Sequence, residues 1–296
     1  MPSLPPRPAP LAWQVFRGSD AVRRGLLTEH QLRGSAWIRL RRDVYADARL
    51  DRDHALACRA VAYQLPAGAA IAGPSAAHLY GVVHAADFTD EVHVVAPRLT
   101  GLRTQPGLRV HTTDSAPMPT GQPPRTGPAR AAWETAAWLP PVRAVAIIDT
   151  LLGSGLTSPT ELSTLAAAYA ARPGGRRAQR AFALADPAAQ SPPESHLRVR
   201  LMQAGLPRPA VQHPVRVASG VLLHPDLAWP GFRVAIEYDG QWHDDAEQFH
   251  RDRRRLNLLA GQGWLVLHVT SRRLYREFPA LLREVRDALT SRGWRP

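Results

Sequence analysis

Residues 224–243 read HPDLAWPGFRVAIEYDGQWH, and this stretch sets acidic residues beside an apolar run. The segment from Arg233 to Asp239 is rich in apolar residues and predicts a β-strand. Residues two apart on a strand share a face, so Glu237 and Asp239 are expected to point the same way. Two acids on a buried strand need positive charge beside them, and hard divalent cations prefer carboxylate oxygens. With Asp226 just upstream as a further ligand, the stretch predicts the acidic site of a metal-dependent phosphodiesterase.

The same acids have a structural alternative. Acidic residues are usually exposed, so Glu237 and Asp239 would then lie on a solvated edge of a sheet. The flanking apolar run and Gly240 favour instead a buried strand that turns sharply near a ligand.

Five segments of the C-terminal part occur in an order that resembles the PD-(D/E)XK nuclease superfamily, most closely its Vsr-like (very-short-patch-repair-like) branch. They are Ser191–Ser195, Pro225–Asp226, Glu237–Gly240 followed by His243, Arg251–Arg253, and Gly263–Leu267. In such folds helices flank a central mixed sheet, and the metal lies at the sheet edge between two acids. The resemblance implies that Asp226 and Glu237 bind Mg²⁺ or Mn²⁺. It also implies that Glu194, on the first helix, binds or positions a second metal or a water.

Glu194 has a structural alternative that is compatible with a metal role. It follows two prolines, so it is also a favourable acid for the first turn of a helix.

One position departs from the superfamily pattern. The third residue of its motif is normally lysine, but here it is Asp239, and the chain contains no lysine at all. Vsr-like enzymes use histidines near this point, and a neutral imidazole can accept a proton from a metal-bound water near pH 7. The sequence therefore predicts that His243 or Asp239 orients or deprotonates the water.

The formal net charge of +12 indicates a polyanionic partner. Arg251, Arg253, Arg254 and Arg255 lie on a predicted helix over 246–262 and are expected to contact DNA phosphates. The alternative is that these arginines only solubilise a surface helix. An arginine-rich, lysine-poor source proteome would also explain much of the basic charge.

The N-terminal part predicts a winged-helix outline. Residues 1–11 are expected to be a disordered lead, and residues 13–26 a helix. A second short helix follows, with Thr28 as its N-cap, and then a basic hairpin. The hairpin carries Arg39, Arg41 and Arg42, which are expected either to bind DNA or to form a solvated strand face.

This part also resembles the N-terminal domain of AbiEi-type antitoxins. The matching segments are Gly25–Thr28, Gln31–Leu32, Leu40–Ala46 and Pro74–Gly81. The resemblance implies a DNA-binding regulator with a toxin as partner.

The chain as a whole is predicted to be α/β, in the sense of an α+β multi-domain protein. The predicted parts are a winged-helix-like domain over 12–52, a middle α/β segment over 53–186, and a restriction-endonuclease-like mixed sheet flanked by helices over 190–296. The single cysteine, Cys58, excludes disulfides within the chain. The N-terminus has no apolar signal segment, and no apolar run approaches the length of a membrane span, so we expect a cytoplasmic protein without a membrane partner.

The leading functional prediction is a metal-dependent DNA endonuclease acting in defence or repair. The alternative is a regulator of the antitoxin type that binds DNA and whose nuclease fold has lost turnover. A third possibility is an RNA-directed defence nuclease.

Overall fold

The computed structural model describes residues 7–114, 118–217, 220–239 and 257–295. The fold is mixed α/β, with several small sheets and many helices. Contacts divide the chain into two compact units, Met1–Trp138 and Leu139–Pro296. The domain boundaries inferred from sequence remain predictions, because a compact packing unit and a sequence domain need not coincide.

The first unit begins with a three-stranded sheet in the order β1-β3-β2. Its elements are β1 (Val15–Arg17), α1 (Gly18–Arg23), β2 (Trp37–Arg41) and β3 (Val44–Asp47). The prediction of one helix over 13–26 was wrong. Phe16 pairs with Tyr45 across β1 and β3, and its ring packs edge-on against Trp37 with 5.1 Å between centroids. Burial of this aromatic contact favours a strand there, and only the segment after it is helical.

The second short helix, predicted with Thr28 as its N-cap, is only a 3₁₀ turn over Gln31–Arg33, and the residue at its N-cap is His30. Thr28 Oγ1 accepts a hydrogen bond from the Gln31 amide, and Gln31 Oε1 accepts one from the Thr28 amide at 2.8 Å. This reciprocal pair has the hydrogen-bond pattern of a capping box but precedes no α-helix.

The rest of the first unit packs helices against a second small sheet in the order β4-β5-β6, in which β5 and β6 are parallel. The elements are α2 (His54–Ala62), β4 (Ala70–Ile71), α3 (Gly73–Leu79), β5 (Val92–Pro97), β6 (Leu108–Thr113) and α4 (Pro128–Trp138). The buried core between them includes Cys58, Ile71, Val92, Val94 and Leu108.

The second unit begins with helices α5 (Pro141–Gly153), α6 (Pro159–Ala168), α7 (Gly175–Leu184) and α8 (Pro192–Gln203). A mixed four-stranded sheet follows in the order β7-β10-β11-β12. Its strands are β7 (Ala210–Val211), β10 (Leu227–Trp229), β11 (Val234–Asp239) and β12 (Leu265–Thr270), and a separate hairpin is formed by β8 (Val215–Arg216) and β9 (Leu222–Leu223). β10 runs antiparallel to β7 and β11, whereas β11 and β12 are parallel. The remaining helices are α9, described over 257–261, α10 (Ser271–Tyr275) and α11 (Phe278–Ser291).

The strand predicted from Arg233 to Asp239 is confirmed from Val234 onward. One face of the sheet packs on α8 and α11 through a buried cluster that includes Leu197, Leu201, Val234, Ile236, Leu267, Val269, Leu281 and Val285. Because side chains alternate along a strand, Glu237 and Asp239 lie on the opposite face of β11. They share a face, as the sequence predicts.

Among the residues that the structure describes, no helix combines the length and the apolar character needed to cross a membrane.

A buried ion pair joins α8 to α5. Arg198 Nη2 lies 2.5 Å from Asp149 Oδ2, and the two side chains are 0% and 1% exposed. Ser195 Oγ donates to the same carboxylate at 2.6 Å, and the Asp186 amide donates to its other oxygen at 2.7 Å. Arg198 also donates to the carbonyl of Leu184. These hydrogen bonds compensate in large part for the loss of water, although the buried Arg198 Nε has no partner among the described residues.

Replacing Arg198 by Met should lower the free energy of unfolding by about 3–5 kcal/mol, because Asp149 would be left buried without its cation. The double variant D149N/R198M removes both charges and should recover at least half of that loss. Urea unfolding of the full chain at neutral pH measures both effects.

The matched control is Arg283→Met on α11, where the side chain is exposed. It should change the free energy of unfolding by less than about 0.5 kcal/mol. A similarly small loss for Arg198→Met would show that the pair does not hold α8 in place.

Candidate functional site

Asp226 is fixed at the end of the mixed sheet. Its Oδ2 accepts a hydrogen bond of 2.7 Å from the backbone amide of Tyr238, and its carbonyl accepts one of 3.2 Å from the Gln212 amide. Leu227, the first residue of β10, pairs with Ile236 across the antiparallel strands, and extending this register by one residue brings Asp226 next to Glu237. Side chains directly opposite each other on antiparallel strands lie on one face and close together. The two predicted metal ligands therefore lie at the same end of neighbouring strands.

Glu237 lies between two polar neighbours. It is half-buried, and its Oε1 atom is inaccessible to solvent. On the side away from Asp226, Glu237 pairs in parallel register with His268 of β12. Glu237 and His268 thus lie side by side on the face that does not pack on α8 and α11, with Asp226 at the end of the neighbouring β10.

Glu194 caps α8 and also contacts the acid site. Its Oε1 accepts from Ser191 Oγ at 2.7 Å, and its Oε2 accepts from the Gln190 amide at 3.1 Å. Both oxygens of the carboxylate therefore accept hydrogen bonds within the helix cap. The structural alternative for Glu194 is present in the structure, while its assignment as a metal ligand stays a prediction.

Gln212 bridges Asp226 and Glu194, and the sequence analysis did not identify it. Its Nε2 donates to Asp226 Oδ1 at 3.1 Å and lies 3.4 Å from Glu194 Oε2. The backbone of Gln212 has φ +51°, in the left-handed region that non-glycine residues rarely adopt. Such strain persists where the surroundings require the conformation. Nothing in the sequence around position 212 marks it, because the signal lies in the backbone angle and in contacts with distant residues.

The pKa of Glu194 is raised, first by burial and then by the charge of Asp226, against hydrogen bonds from Ser191, Gln190 and Gln212 that lower it. A second Ser-Pro-x-Glu segment, Ser158–Glu161, also caps its helix, α6, with the serine side chain, and there the Ser158 amide itself donates to the glutamate. There the pKa of Glu161 is lowered, because the cap donates hydrogen bonds and the side chain stays in water. The same sequence motif therefore carries one glutamate with a raised pKa, because of burial and Asp226, and one glutamate with a lowered pKa.

Asp239 binds a histidine that sequence reasoning also missed. Asp239 Oδ2 lies 2.8 Å from Nδ1 of His268. The Nε2 atom of His268 is buried and has no hydrogen-bond partner within the described ranges. A carboxylate on Nδ1 favours the tautomer that carries its proton there and leaves the lone pair on Nε2. The pairing depends on the parallel register of β11 and β12, which the local sequence does not reveal.

The other predicted site residues are divided between described and undescribed parts of the chain. Arg39 and Arg42 are exposed in the first unit. Arg41 Nε donates to Gln64 Oε1 at 2.7 Å, and burial lowers the pKa of Arg41. The remaining predicted residues, which lie outside the described residues, are His243, Arg251, Arg253, Arg254 and Arg255.

The donor set at Asp226 and Glu237 suits a hard cation. Over the described ranges, no group of three or more His, Cys, Asp or Glu side chains is arranged to hold a metal. A closed structural zinc site needs four such ligands. Mg²⁺ instead is held by one or two carboxylates, with waters and substrate phosphates completing its shell. One carboxylate on β11 and one immediately before the neighbouring β10 are therefore the kind of donor set that fits Mg²⁺ and not a structural zinc.

Comparison with known proteins identifies relatives in Mycobacterium tuberculosis. Uncharacterized protein MT2308 from strain CDC 1551 / Oshkosh and Uncharacterized protein Rv2248 from strain ATCC 25618 / H37Rv are each 32% identical to the chain over 208 residues. The match covers 69% of this chain and 74% of each relative. The chain belongs to the same family as these two proteins. No protein-family model matches the chain, and no solved structure matches it.

The opposite pKa shifts of Glu194 and Glu161 predict opposite pH effects. Glu194 has a raised pKa, so its contribution to stability is present below the unfolded pKa and is lost as pH rises through the folded pKa. Glu161 has a lowered pKa, so its contribution is present above the unfolded pKa and is lost as pH falls through the folded pKa.

Glu194→Gln should therefore cost less stability at pH 7 than at pH 4, and the matched variant Glu161→Gln should cost more at pH 7 than at pH 4. Urea unfolding of both variants and the wild type at the two pH values measures the difference. The same pH trend in both variants would contradict the electrostatic difference between the two caps.

Proposed function

We propose that this protein is a metal-dependent endonuclease that hydrolyses DNA phosphodiester bonds, with Asp226 and Glu237 as the ligands of Mg²⁺ or Mn²⁺. The observation that carries the proposal is the position of Asp226, which accepts a hydrogen bond from the amide of Tyr238, the residue next to Glu237. Asp226 lies at the end of β10, and Glu237 lies on the face of β11 that does not pack on α8 and α11.

The order of elements supports the proposal. Helix α8 precedes β7, β10 and β11, which are joined antiparallel, and β12 then adds parallel to β11. The acids lie on β11 and immediately before β10. This agrees with the restriction-endonuclease-like mixed sheet, flanked by helices, that the resemblance to the PD-(D/E)XK superfamily implies. A fold-level agreement of this kind supports function less than the site does.

A divalent ion at this site would lower the pKa of a bound water and offset the negative charge that develops on the phosphate. The residues of the chain hold and orient the groups around it. The Tyr238 amide fixes the Asp226 carboxylate, and the Gln212 side-chain amide bridges that carboxylate to Glu194. Asp239 orients the His268 imidazole beside Glu237. His243, predicted to act on the water, stays a prediction.

A second candidate is the DNA-binding regulator of the antitoxin type, with a toxin as partner. Asp239 stands where the superfamily has lysine, and it bonds to His268. Both oxygens of Asp226 and both of Glu194 already accept hydrogen bonds. A site arranged in this way can be stable without a metal, and the exposed Arg39 and Arg42 can contact DNA in either case.

Glu237→Gln should abolish Mg²⁺-dependent cleavage and leave metal-free DNA affinity unchanged or higher, because it removes a negative charge from the proposed metal site and from the neighbourhood of phosphate. Supercoiled, linear, mismatched and single-stranded DNA, together with RNA, serve as substrates with Mg²⁺ or Mn²⁺. Asp287→Asn, on the exposed face of α11, is the matched control and should cleave like the wild type.

Tight DNA binding by the wild type without metal-dependent cleavage of any substrate would reject the endonuclease and leave the regulator. Cleavage of RNA alone would support the RNA-directed nuclease.

Asp239→Asn separates an orienting role from a metal ligand. The amide keeps the size of the side chain and a hydrogen bond to His268, but it removes the charge that favours one tautomer. If Asp239 orients His268, cleavage should slow by about 10–100-fold while Mn²⁺ affinity, measured by calorimetry, stays within about twofold. A parallel loss of Mn²⁺ affinity would instead make Asp239 a ligand.

A further inference from the structure

Helix α7 and the turn before it carry exposed arginines without acidic neighbours in the sequence. No acidic residue occurs between Glu161 and Asp186. Arg172, Arg176 and Arg180 are exposed, and we call them the α7 basic surface. Arg176 and Arg180 are four residues apart on the helix, so they lie on the same face about 6 Å apart along its axis. None of the three forms an ion pair with a residue that the structure describes.

Some other arginines of the second unit form ion pairs with acids. Arg272 Nε lies 2.6 Å from Glu277 Oε1, and Arg208 Nη2 lies 3.4 Å from Asp186 Oδ2. Arg273 forms an ion pair with Glu284. A solvated basic face normally mixes both signs of charge in this way. The α7 basic surface is different, because its positive charge is left for a partner to neutralise.

The start of α7 departs from the rules that the neighbouring helices follow. Helices α6 and α8 each begin with a serine cap and carry a glutamate in the first turn. Helix α7 begins after Gly174, with no side-chain cap and no acid in its first turn, and Arg176 lies in that turn. A cation there opposes the helix macrodipole and is unfavourable for the helix. Such local conflicts concentrate where a residue serves function instead of stability.

Packing on the other side of the helix fixes which way these arginines face. Gly175, Ala178 and Ala181 are buried, so the small-residue side of α7 points inward. Gly175 lies so close to the preceding turn that a Cβ there would come within 2.6 Å of the Tyr169 carbonyl oxygen. The turn that carries Arg172 is therefore held against the start of α7.

An aromatic ring supports one of the three guanidinium groups. The Arg172 guanidinium lies over the Tyr169 ring, 4.3 Å from its centroid. Stacking of this kind keeps the planar group extended while its N–H donors remain able to bind a bidentate acceptor such as phosphate.

We propose that the α7 basic surface binds the phosphate backbone of double-stranded DNA without reading its sequence. The inference rests on the proposed function in taking DNA as the polyanion, but it does not require cleavage. Arginine contacts to phosphate release counterions, so this binding should weaken steeply as salt rises.

The test compares two triple variants that lose the same charge. R172Q/R176Q/R180Q removes the α7 basic surface, and R276Q/R283Q/R286Q removes three exposed arginines of the α10–α11 region, where acids lie nearby. Binding to a short labelled DNA duplex is measured by fluorescence anisotropy in EDTA over a series of salt concentrations. Urea unfolding confirms that both variants are folded, and single variants replace any triple variant that is not.

The α7 variant should lower the slope of log affinity against log salt by about 2–3, roughly one unit for each lost phosphate contact. The control variant should change the slope by less than about one unit. Equal changes in the two variants, or no binding of duplex DNA by the wild type, would overturn the proposal, as would binding of duplex RNA but not DNA.

Cleavage with Mg²⁺ is assayed separately, which distinguishes the two proposals. Loss of binding in the α7 variant of a protein that cleaves nothing would keep the DNA surface and reject the endonuclease. Unchanged binding in the α7 variant of a protein that does cleave would reject the surface alone.

Discussion

The buried pair of Arg198 and Asp149 is the constraint on which the second unit depends. Two charges without access to water are tolerable only if each finds its partner and further hydrogen bonds, and this requirement fixes α8 against α5. Glu194 lies one turn before Arg198 on the same helix, so its position follows. Glu194 in turn contacts Gln212, which bonds to Asp226, whose other oxygen is held by Tyr238. A continuous polar path therefore runs from the interior of the helical layer to the end of the sheet.

The strand β11 and the shared face of Glu237 and Asp239 can be predicted from sequence, because both depend on residues that are neighbours in the chain. An apolar run with alternating character defines the strand, and the pleat then sets Glu237 and Asp239 on one face. The prediction fails for residues 13–26, where a helical spacing of apolar residues is overridden by pairing of Phe16 with Tyr45. Local pattern and tertiary pairing compete there, and only the structure shows which of them prevails.

Gln212 and His268 were missed for a different reason. A glutamine and a histidine have no special spacing in this sequence, and their importance comes from what the sheet places beside them. Gln212 needs the end of β10 to bring Asp226 within reach, and His268 needs the parallel register that sets it opposite Glu237. The two Ser-Pro-x-Glu segments, Ser158–Glu161 and Ser191–Glu194, are a further example. The motif predicts a serine cap and a first-turn glutamate in both. Burial and the charge of Asp226 nevertheless raise the pKa of Glu194, whereas the pKa of Glu161 is lowered.

The topology of the sheet also bears on how the site assembles. Asp226 and Tyr238 are 12 residues apart and belong to neighbouring antiparallel strands. Asp239 and His268 are 29 residues apart and meet only through a parallel crossover. Closing the longer loop costs roughly 0.6–0.9 kcal/mol more chain entropy than closing the shorter one. Non-local parallel pairing is also slower to form than a local antiparallel contact. On these grounds we expect Asp226 to reach the Tyr238 amide before β12 pairs with β11, and His268 to join Asp239 only when β12 has paired.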